Sequence, residues 1–428
     1  MLGCLRLQDI TGFEVVVVTN TPGIFQDYTP FEHLKIIAFE QANIAKARNL
    51  GIAATQGDFV AFCDDDALPD PGWLRQITAP FADLKIGGTG GFTRGRNGIS
   101  MQWGAVITDV LAQENRIELT KTTVFKPNDK TCPVMIGTNC AFRKSALLQI
   151  NGFDENFAYY LDDSDISLRL SQAGWQLAIL PECQVHHSFA PSAIRHKNRA
   201  PKTLEPLGKS KAYYCRKHGK PADIDMALQH FRDGQFKRLE QHFLRGELSS
   251  AQMFDLKKTL GSGFGKGKEL PLAGSIKHPM PDGLATPESS PSTAAHIVLA
   301  GRANTAKLLD EKAQGLVNQG FRVSVVYLEF SPKYMQVTFS DLGFWQHHGG
   351  QFGKINRNES LWKWRRFRPK VFDECHRISK TRPIDYLAFL EPGRFDASLL
   401  PQTFGMSSLN GYKVLDDSLF WRQKENIK

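Results

Sequence analysis

Short apolar segments alternate with segments of helical spacing along the first 190 residues. The predicted strands are FEVVVV (13–18), LKIIAF (34–39), DFVAFC (58–63) and WQLAILP (175–181), and helices are predicted at 43–57, from Pro71, at 145–151 and at 164–173. Continuous β-branched runs are typical of strands buried on both faces of a parallel sheet. Strand, helix and strand in this order predict an α/β fold with right-handed crossovers. The glycine-rich stretch GGTGGFTRG (87–95) predicts a flexible loop.

The pattern changes in the second half of the chain. Residues 222–260 have helical spacing and predict a helical hairpin, whereas residues 261–293 are rich in Gly, Pro and Ser and predict a linker. A second α/β pattern opens at His296, with HIVLAG, a helix over 304–319, FRVSVVYLE and IDYLAFLEP. We therefore divide the chain into a first α/β domain (1–220), a helical segment (221–260), a flexible linker (261–294) and a second, Rossmann-like α/β domain (295–428).

The composition excludes several classes of protein. The chain has 428 residues, of which 41% are hydrophobic and 23% charged, which is typical of globular domains. No apolar run approaches the ~20 residues of a membrane helix, and the amino terminus lacks the apolar core of a signal peptide. Its seven cysteines never form a CxxC pair, which favours reduced thiols. These features predict a cytoplasmic protein.

The charge is distributed unevenly. The net charge of +9 combines −6 over residues 1–190 with +15 over the remainder. Within 194–220, nine Lys or Arg residues stand against the single Glu205. One interpretation is a solvated charged helix. The other is a peripheral contact with an anionic membrane, at the inner face of the plasma membrane, through Lys209, Lys211, Arg216 and Lys217. We expect no nucleic-acid partner.

The strongest chemical signal is Asp64-Asp65-Asp66, placed where the strand DFVAFC ends. Ligands bind at the carboxyl ends of strands in open α/β sheets, and three carboxylates there repel one another unless a cation compensates them. Oxygen ligands suit Mg²⁺ or Mn²⁺, which bridge carboxylates to substrate phosphates. The alternative interpretation is a solvated acidic turn with helix-capping aspartates.

A second acidic cluster, Asp162, Asp163 and Asp165, precedes the helical pattern SDISLRL. Acidic residues at a helix start are favoured by the helix dipole, so a purely structural role is one interpretation. The other is a general base for a hydroxyl nucleophile. Two acidic clusters in one α/β domain suggest that one holds a metal and the other accepts a proton.

Four segments together resemble the family-2 glycosyltransferases of GT-A fold, in order and at ordinary spacing. They are FEVVVVTN, NIAKARNLGIAATQGDFVAFCDDDALPDPGWL, GTNCAFRKSALLQINGFDE and LDDSDISLRLSQAGWQLAILPECQVHH. The resemblance covers residues 1–190 and implies a mostly parallel sheet with helices on both faces. It also implies single-step inversion at the anomeric carbon of a nucleotide-diphosphate sugar. The implied acceptor is a glycan or lipid-linked hydroxyl in bacterial polysaccharide or cell-surface glycan assembly.

The resemblance also implies roles for individual residues. Asp64 and Asp66 match the motif that holds the metal and the donor diphosphate, with Asp65 between them. Asp163 matches the base, and Asp162 stands where Glu is usual. His186, or less well His187, matches a histidine that completes the metal site, although a pair of histidines at a strand end is also typical of a solvated turn. Arg48 matches an arginine near the nucleotide.

Two further residues are candidates for the sugar or acceptor side of the site. Asn139 lies in GTNCAFRKS, and Trp175 opens the last predicted strand. A turn asparagine and a core tryptophan are the equally weighted alternatives.

The chain departs from the family pattern in two places. Family members open with a strand and a PTYNR-like loop, whereas this sequence starts inside the helix that follows them. A misassigned start or a fragment explains this. The Asp that contacts the base is replaced by Thr19-Asn20, which puts recognition of the base in question.

Other interpretations of the chain come from different classes. A haloacid-dehalogenase-like phosphatase is disfavoured by Leu68, where that family has Thr or Val. A sugar-nucleotide-binding protein that has lost catalysis stays open. Residues 295–330 resemble the start of a GT-B glycosyltransferase domain without a specific motif, and a structural α/β module is the favoured interpretation.

Overall fold

The computed structural model describes residues 1–25, 34–95, 100–187, 194, 196, 198, 200–272, 294–356 and 358–390, and the backbone of 413–414. The strands of the first α/β unit are β1 (Val15–Thr19), β2 (Leu34–Ala38), β3 (Phe59–Cys63), β4 (Ala67–Pro69), β5 (Ile86–Arg94), β6 (Met101–Trp103), β7 (Ala105–Asp109), β8 (Glu114–Ile117), β9 (Thr123–Phe125), β10 (Thr131–Pro133), β11 (Asn139–Arg143) and β12 (Gln176–His187). Its helices are α1 (Leu2–Leu5), α2 (Ile44–Ala54), α3 (Trp73–Thr78), α4 (Lys144–Gln149) and α5 (Asp162–Gln172). The predicted α/β class is confirmed.

The main sheet has the order β3-β11-β5-β12-β4. Strand β12 runs parallel to β5, while β11 is antiparallel to both β3 and β5, so β3, β5 and β12 all run in one direction. Strands β1 and β2 form a separate parallel pair. Because β3 and β12 share a direction, their carboxyl ends lie at one edge of the sheet. That edge carries both Asp64 and His187.

The prediction of a flexible loop at 87–95 is wrong, because these residues form the buried central strand β5. A Cβ atom on Gly91 would collide with the Asn139 amide nitrogen and the Cys183 carbonyl oxygen. One on Gly88 would lie 3.0 Å from Leu177 and 3.1 Å from Phe142. The glycines are needed here because neighbouring groups fill the space beside the strand.

Three helices follow the first sheet: α6 (Glu205–His218), α7 (Pro221–Leu244) and α8 (Ser250–Glu269). Helix α8 therefore extends into the stretch predicted as linker, whose residues 273–293 lie outside the described part of the chain. A Cβ atom on Gly263 would collide with the Glu205 carbonyl oxygen, and one on Gly267 would collide with that of Lys209. These glycines allow α8 to pack directly on the backbone of α6. None of the described helices is both long and apolar enough to cross a membrane.

The second α/β unit confirms the pattern predicted from His296 onward. Its elements are β13 (His296–Arg302), α9 (Ala306–Asn318), β14 (Arg322–Glu329), β15 (Gln336–Phe339), β16 (Trp345–Gly350), α10 (Phe367–Ser379), β17 (Tyr386–Leu390) and β18 (Lys413–Val414). The sheet order is β15-β16-β14-β13-β17-β18, and every pairing except that of β15 with β16 is parallel. After β13 the chain adds β14 and β16 on one side of that strand and later places β17 and β18 on its other side. This change of direction is typical of doubly wound folds.

A buried ion pair joins the two α/β units. The Arg382 Nε atom lies 2.8 Å from an Asp70 carboxylate oxygen, and both side chains are almost fully buried. Arg382 also donates to the Ser324 hydroxyl at 3.0 Å and lies over the ring of Trp345 at 4.6 Å. Trp345 in turn packs with Cys4 and Leu68 of the first unit. Since Trp345 opens β16, the contact lies at the amino edge of the second sheet.

Several cations of 194–220, which were expected to contact a membrane, instead form bonds within the protein. Lys211 is 2% exposed and donates to the carbonyl oxygens of Leu111 and Ala112. Arg216 donates to the carbonyls of Gly267 and Leu270, and Lys217 pairs with two buried carboxylates. Three of the four cations named for a membrane contact thus hold α6 in place, and Arg195, Lys197 and Arg199 lie outside the described residues.

Asp165 is the centre of the bonds that fix α6 on α5. Its carboxylate lies 2.7 Å from both Arg169 and Lys217 and 2.8 Å from the His218 ring. Burial alone would raise the pKa of Asp165, but these charges outweigh it and hold the pKa well below its usual range. The stability that this carboxylate contributes is therefore present above about pH 5 and declines as the pH falls further.

We expect Asp165→Asn to lower the free energy of unfolding at neutral pH by about 3–5 kcal/mol, since it leaves buried cations without their partner. Glu205→Gln, which removes the exposed pair with Lys266, should cost about 1 kcal/mol or less. Urea denaturation of both variants measures the difference. Equal losses would show that the Asp165 network contributes no more than a surface pair.

Candidate functional site

Three candidate metal ligands meet at the carboxyl edge of the main sheet. Asp64 and Asp66 follow β3, and His187 ends β12. The His187 Nε2 atom lies 2.8 Å from Asp66 Oδ1 and 3.9 Å from Asp64 Oδ2, and the three ligand atoms all lie within 4.8 Å of one another. Two carboxylates and one imidazole form a donor set that fits Mg²⁺ or Mn²⁺.

Two polar side chains orient these ligands. Gln102 Oε1 lies 2.9 Å from His187 Nδ1, and this contact orients the ring so that Nε2 faces the carboxylates. The Thr138 hydroxyl donates to Asp64 Oδ2 at 2.6 Å. Neither residue could be predicted from the sequence, because a lone Gln on a short strand and a Thr in a turn carry no signal before the sheet is assembled.

His186 is not part of the metal cluster, which corrects the expectation that it completes the site. Successive side chains of a strand point to opposite faces, so His187 faces Asp66 and His186 faces away. His186 is 6% exposed. Burial, reinforced by the charges of Arg382 and Arg94, holds the pKa of His186 well below its usual range. It is a neutral histidine beside the contact between the two units.

Asp65 lies on the same turn but outside the cluster. Asp65 is an exposed residue, and partial loss of solvent around its carboxyl group, together with the charges of Asp66 and Asp64, raises its pKa. A role in donor binding stays a prediction for Asp65.

Asp162 and Asp163 begin helix α5 after a strained residue. Leu161 is buried and has a φ of +66°, a left-handed conformation that costs a branched residue about 1–3 kcal/mol. The turn directs Asp162 against Arg48, with which it forms a buried ion pair. The Arg48 guanidinium also lies 5.7 Å from the Phe62 ring centroid and 5.2 Å from that of Phe153.

The two carboxylates have different surroundings. Burial raises the pKa of Asp162, although the charge of Arg48 opposes the shift. Asp163 is half-buried, and burial together with the charge of Asp162 raises its pKa to about 7. A carboxylate with that pKa can accept a proton near neutral pH and release it again. Asp165, by contrast, is committed to the bonds that hold α6.

Asn139 and Trp175 have structural positions, which corrects their expected place beside the sugar or acceptor. Asn139 is fully buried and accepts a hydrogen bond from the Trp73 indole at 2.8 Å while donating to the carbonyls of Phe92 and Cys183. Trp175 precedes β12 at the opposite edge of the sheet. Pairing of β12 along Ile86–Arg94 places it roughly 30 Å from His187, at ~3.3 Å per residue. Its indole donates to Gln149.

Comparison with known proteins finds relatives that are glycosyltransferases. Over 178 residues the chain is 29% identical to the pre-mycofactocin glycosyltransferase of Mycobacterium tuberculosis, covering 36% of each protein. It is 28% identical over 124 residues to the N-acetylglucosaminyl-diphospho-decaprenol L-rhamnosyltransferase of that organism, covering 29% of this chain and 35% of the relative. The chain thus spans about a third of the length of these relatives.

Solved structures give weaker matches. Staphylococcus aureus TarS 1-349 in complex with UDP-GlcNAc has 19% sequence identity and a TM-score of 0.41, and the match covers 61% of this chain and 75% of TarS 1-349. GalNAc-T7 with UDP, GalNAc and Mn²⁺ has 16% identity and a TM-score of 0.39, and the match covers 48% of this chain and 41% of GalNAc-T7.

The family model described as Glycosyl transferase family 2 matches residues 4–150. The chain is therefore similar to family-2 glycosyltransferases over about a third of its length, and the matched residues include Arg48, Asp64 and Asp66.

Proposed function

We propose that the chain transfers a sugar from a nucleotide-diphosphate sugar to an acceptor hydroxyl in one step, with inversion at the anomeric carbon and dependence on a divalent cation. The observation that carries the proposal is the meeting of Asp64, Asp66 and His187 at the same sheet edge. These residues would hold Mg²⁺ or Mn²⁺, which supplies positive charge for the departing diphosphate. The family match over residues 4–150 supports a sugar-nucleotide donor.

Asp163 is the proposed general base. The acceptor oxygen forms a bond to the anomeric carbon while the bond from that carbon to the diphosphate oxygen breaks, and the electron pair leaves with the nucleoside diphosphate. The acceptor proton passes to the Asp163 carboxylate. Its pKa of about 7 suits this transfer, because the group is half ionised at neutral pH.

Asp162 and Arg48 position this base. Their ion pair occupies the Asp162 carboxylate, which leaves Asp163 as the carboxylate of the two that is open to an acceptor. The guanidinium lies between the helix that carries the base and the Phe62 side chain of β3. The pair therefore ties the proposed base to the strand that leads into the metal ligands.

The acceptor is proposed to be a hydroxyl of a glycan or of a lipid-linked sugar, in polysaccharide or cell-surface glycan assembly. One relative is named for action on N-acetylglucosaminyl-diphospho-decaprenol, a lipid-linked sugar. That name supports a lipid-linked acceptor for this chain as well.

Asp66→Asn should weaken Mn²⁺ binding by at least about 100-fold, since changing even an outer partner of a metal ligand costs about 10–100-fold. Electron paramagnetic resonance titration of Mn²⁺ measures this without an assay of activity. Asp58→Asn is the matched control, because Asp58 is exposed at the other end of β3. Binding of Mn²⁺ at wild-type strength by Asp66→Asn would remove Asp66 from the site.

Asp163→Asn should lower the rate of sugar transfer by about 10²–10⁴-fold while leaving donor affinity unchanged, because the base acts on the acceptor. In the unsubstituted protein the rate should rise with pH through about 7, since the base works only when ionised. Nucleoside diphosphate release from a panel of nucleotide sugars, with simple glycoside acceptors, measures both effects.

The residual activity of Asp163→Asn should lack the inflection near pH 7, whereas Asp58→Asn should retain it. A loss confined to donor affinity would move the base elsewhere. Donor binding by the unsubstituted chain without any transfer or hydrolysis would identify a sugar-nucleotide-binding protein instead.

A further inference from the structure

The second α/β unit exposes a cluster of large apolar side chains. Trp364 is 70% exposed, Phe330 71%, Leu361 67% and Trp362 50%. We refer to these four residues as the aromatic surface. Single exposed apolar residues are common, but four on adjoining segments mark an interaction site.

The rings of the aromatic surface are held in place by a buried phenylalanine. Phe352 is fully buried and stacks on Trp362 at 4.7 Å and on Trp364 at 4.8 Å, measured between ring centroids. Phe330 meets Phe352 edge to face at 4.6 Å. Both indoles are thus fixed through one inner ring while much of their surface faces outward.

Hydrogen bonds fix the segment that carries the two tryptophans. The Glu359 carboxylate accepts from the Arg365 guanidinium at 2.6 Å and from the Ile355 amide at 2.9 Å. The Lys363 amide donates to the Phe352 carbonyl at 3.1 Å. Little ordering is therefore needed when a partner covers the indoles.

The charge around the aromatic surface is strongly positive. Residues 354–368 contain six basic residues and one acidic residue, Glu359. Arg365 and Lys363 pair with that glutamate, Lys333 pairs with Glu329, and Arg366 is exposed. This charge is complementary to an anionic partner.

The aromatic surface lies at the end of the second sheet that is away from the first unit. Phe330 follows β14, and Phe352 follows β16, so the cluster lies at the carboxyl edge of the second sheet. The contact through Arg382 and Trp345 lies at the amino edge. Among the described residues, the first unit therefore packs on the opposite end of this sheet.

We propose that the aromatic surface docks the chain on an anionic membrane. Indole rings favour the boundary between headgroups and acyl chains, and flanking Lys and Arg residues are attracted to anionic lipid. The cations favour a lipid surface over a neutral glycan, whose recognition would use amide and carboxylate groups around the rings. This proposal does not depend on the proposed sugar transfer.

The test is co-sedimentation of the full chain with phosphatidylcholine vesicles prepared with and without phosphatidylglycerol. We expect binding only to vesicles that contain phosphatidylglycerol, with a decline as salt shortens the screening length. The double variant W362A/W364A should bind at least about tenfold more weakly, because it removes the apolar area that enters the lipid. The double variant K363Q/R366Q should bind about 30-fold more weakly, because it removes two cations that lie near the anionic surface.

The matched control is F254A/K258Q on α8, which removes another exposed Phe with a Lys 4.3 Å from its ring. It should bind vesicles like the unsubstituted chain. If W362A/W364A unfolds, as judged by its thermal transition, K363Q/R366Q and the salt dependence decide the outcome. Equal binding to both kinds of vesicle, no binding at low salt, or a dimer that W362A/W364A dissociates would overturn the proposal.

Discussion

Successive side chains of a β-strand point to opposite faces, and at the end of β12 this constraint gives each of two adjacent histidines a separate task. His187 faces Asp64 and Asp66, while His186 is buried beside Arg382 of the second unit. Strand β12 also pairs with β4, which ends one residue before Asp70, the partner of Arg382. The candidate metal site and the packing of the two units therefore depend on the same strand register. A slip of one residue would exchange the two histidines and break both.

Three aspartates at the start of α5 show how environment separates identical groups. Asp162 pairs with Arg48, Asp163 has a pKa of about 7, and the pKa of Asp165 is held well below its usual range by Arg169, Lys217 and the His218 ring. Pairs of carboxylates whose environments push their pKa values apart are typical of acid and base assignments. The ion pair between Arg48 and Asp162 therefore matters to the proposed mechanism, because it engages the Asp162 carboxylate and leaves that of Asp163 to meet an acceptor.

The parts of the fold that follow from local pattern could be predicted from the sequence. Strands β1, β3 and β13 are continuous apolar runs, and Asp64 and Asp66 follow one of them, so both the strands and the acidic turn were visible. The sequence could not predict which of His186 and His187 faces the aspartates, because that depends on the pairing of β12 with distant strands. Gln102 and Thr138 were invisible for the same reason. Each becomes meaningful only through a partner far away in the chain.

Glycine patterns in the sequence mislead because the meaning of a glycine depends on its neighbours. Glycine suggested flexibility at 87–95 and beyond 261, yet Gly91 lies in the central strand and Gly263 sits against the backbone of α6. In both places the missing side chain makes room for a close contact.

In the carboxyl-terminal half of the chain, the number of basic residues in a segment does not predict how much positive charge its surface offers. Lys211 and Arg216 direct their hydrogen bonds to backbone carbonyl groups, so these two cations of a dense basic stretch are used in packing. Around Trp362 and Trp364 the single acid of residues 354–368 is already paired, and exposed cations such as Arg366 remain on the surface. Available positive charge follows from the partners that the fold provides and not from the density of Lys and Arg along the chain. The proposed surface for an anionic partner therefore lies on the second unit, whereas Lys211, Arg216 and Lys217 serve the packing of α6.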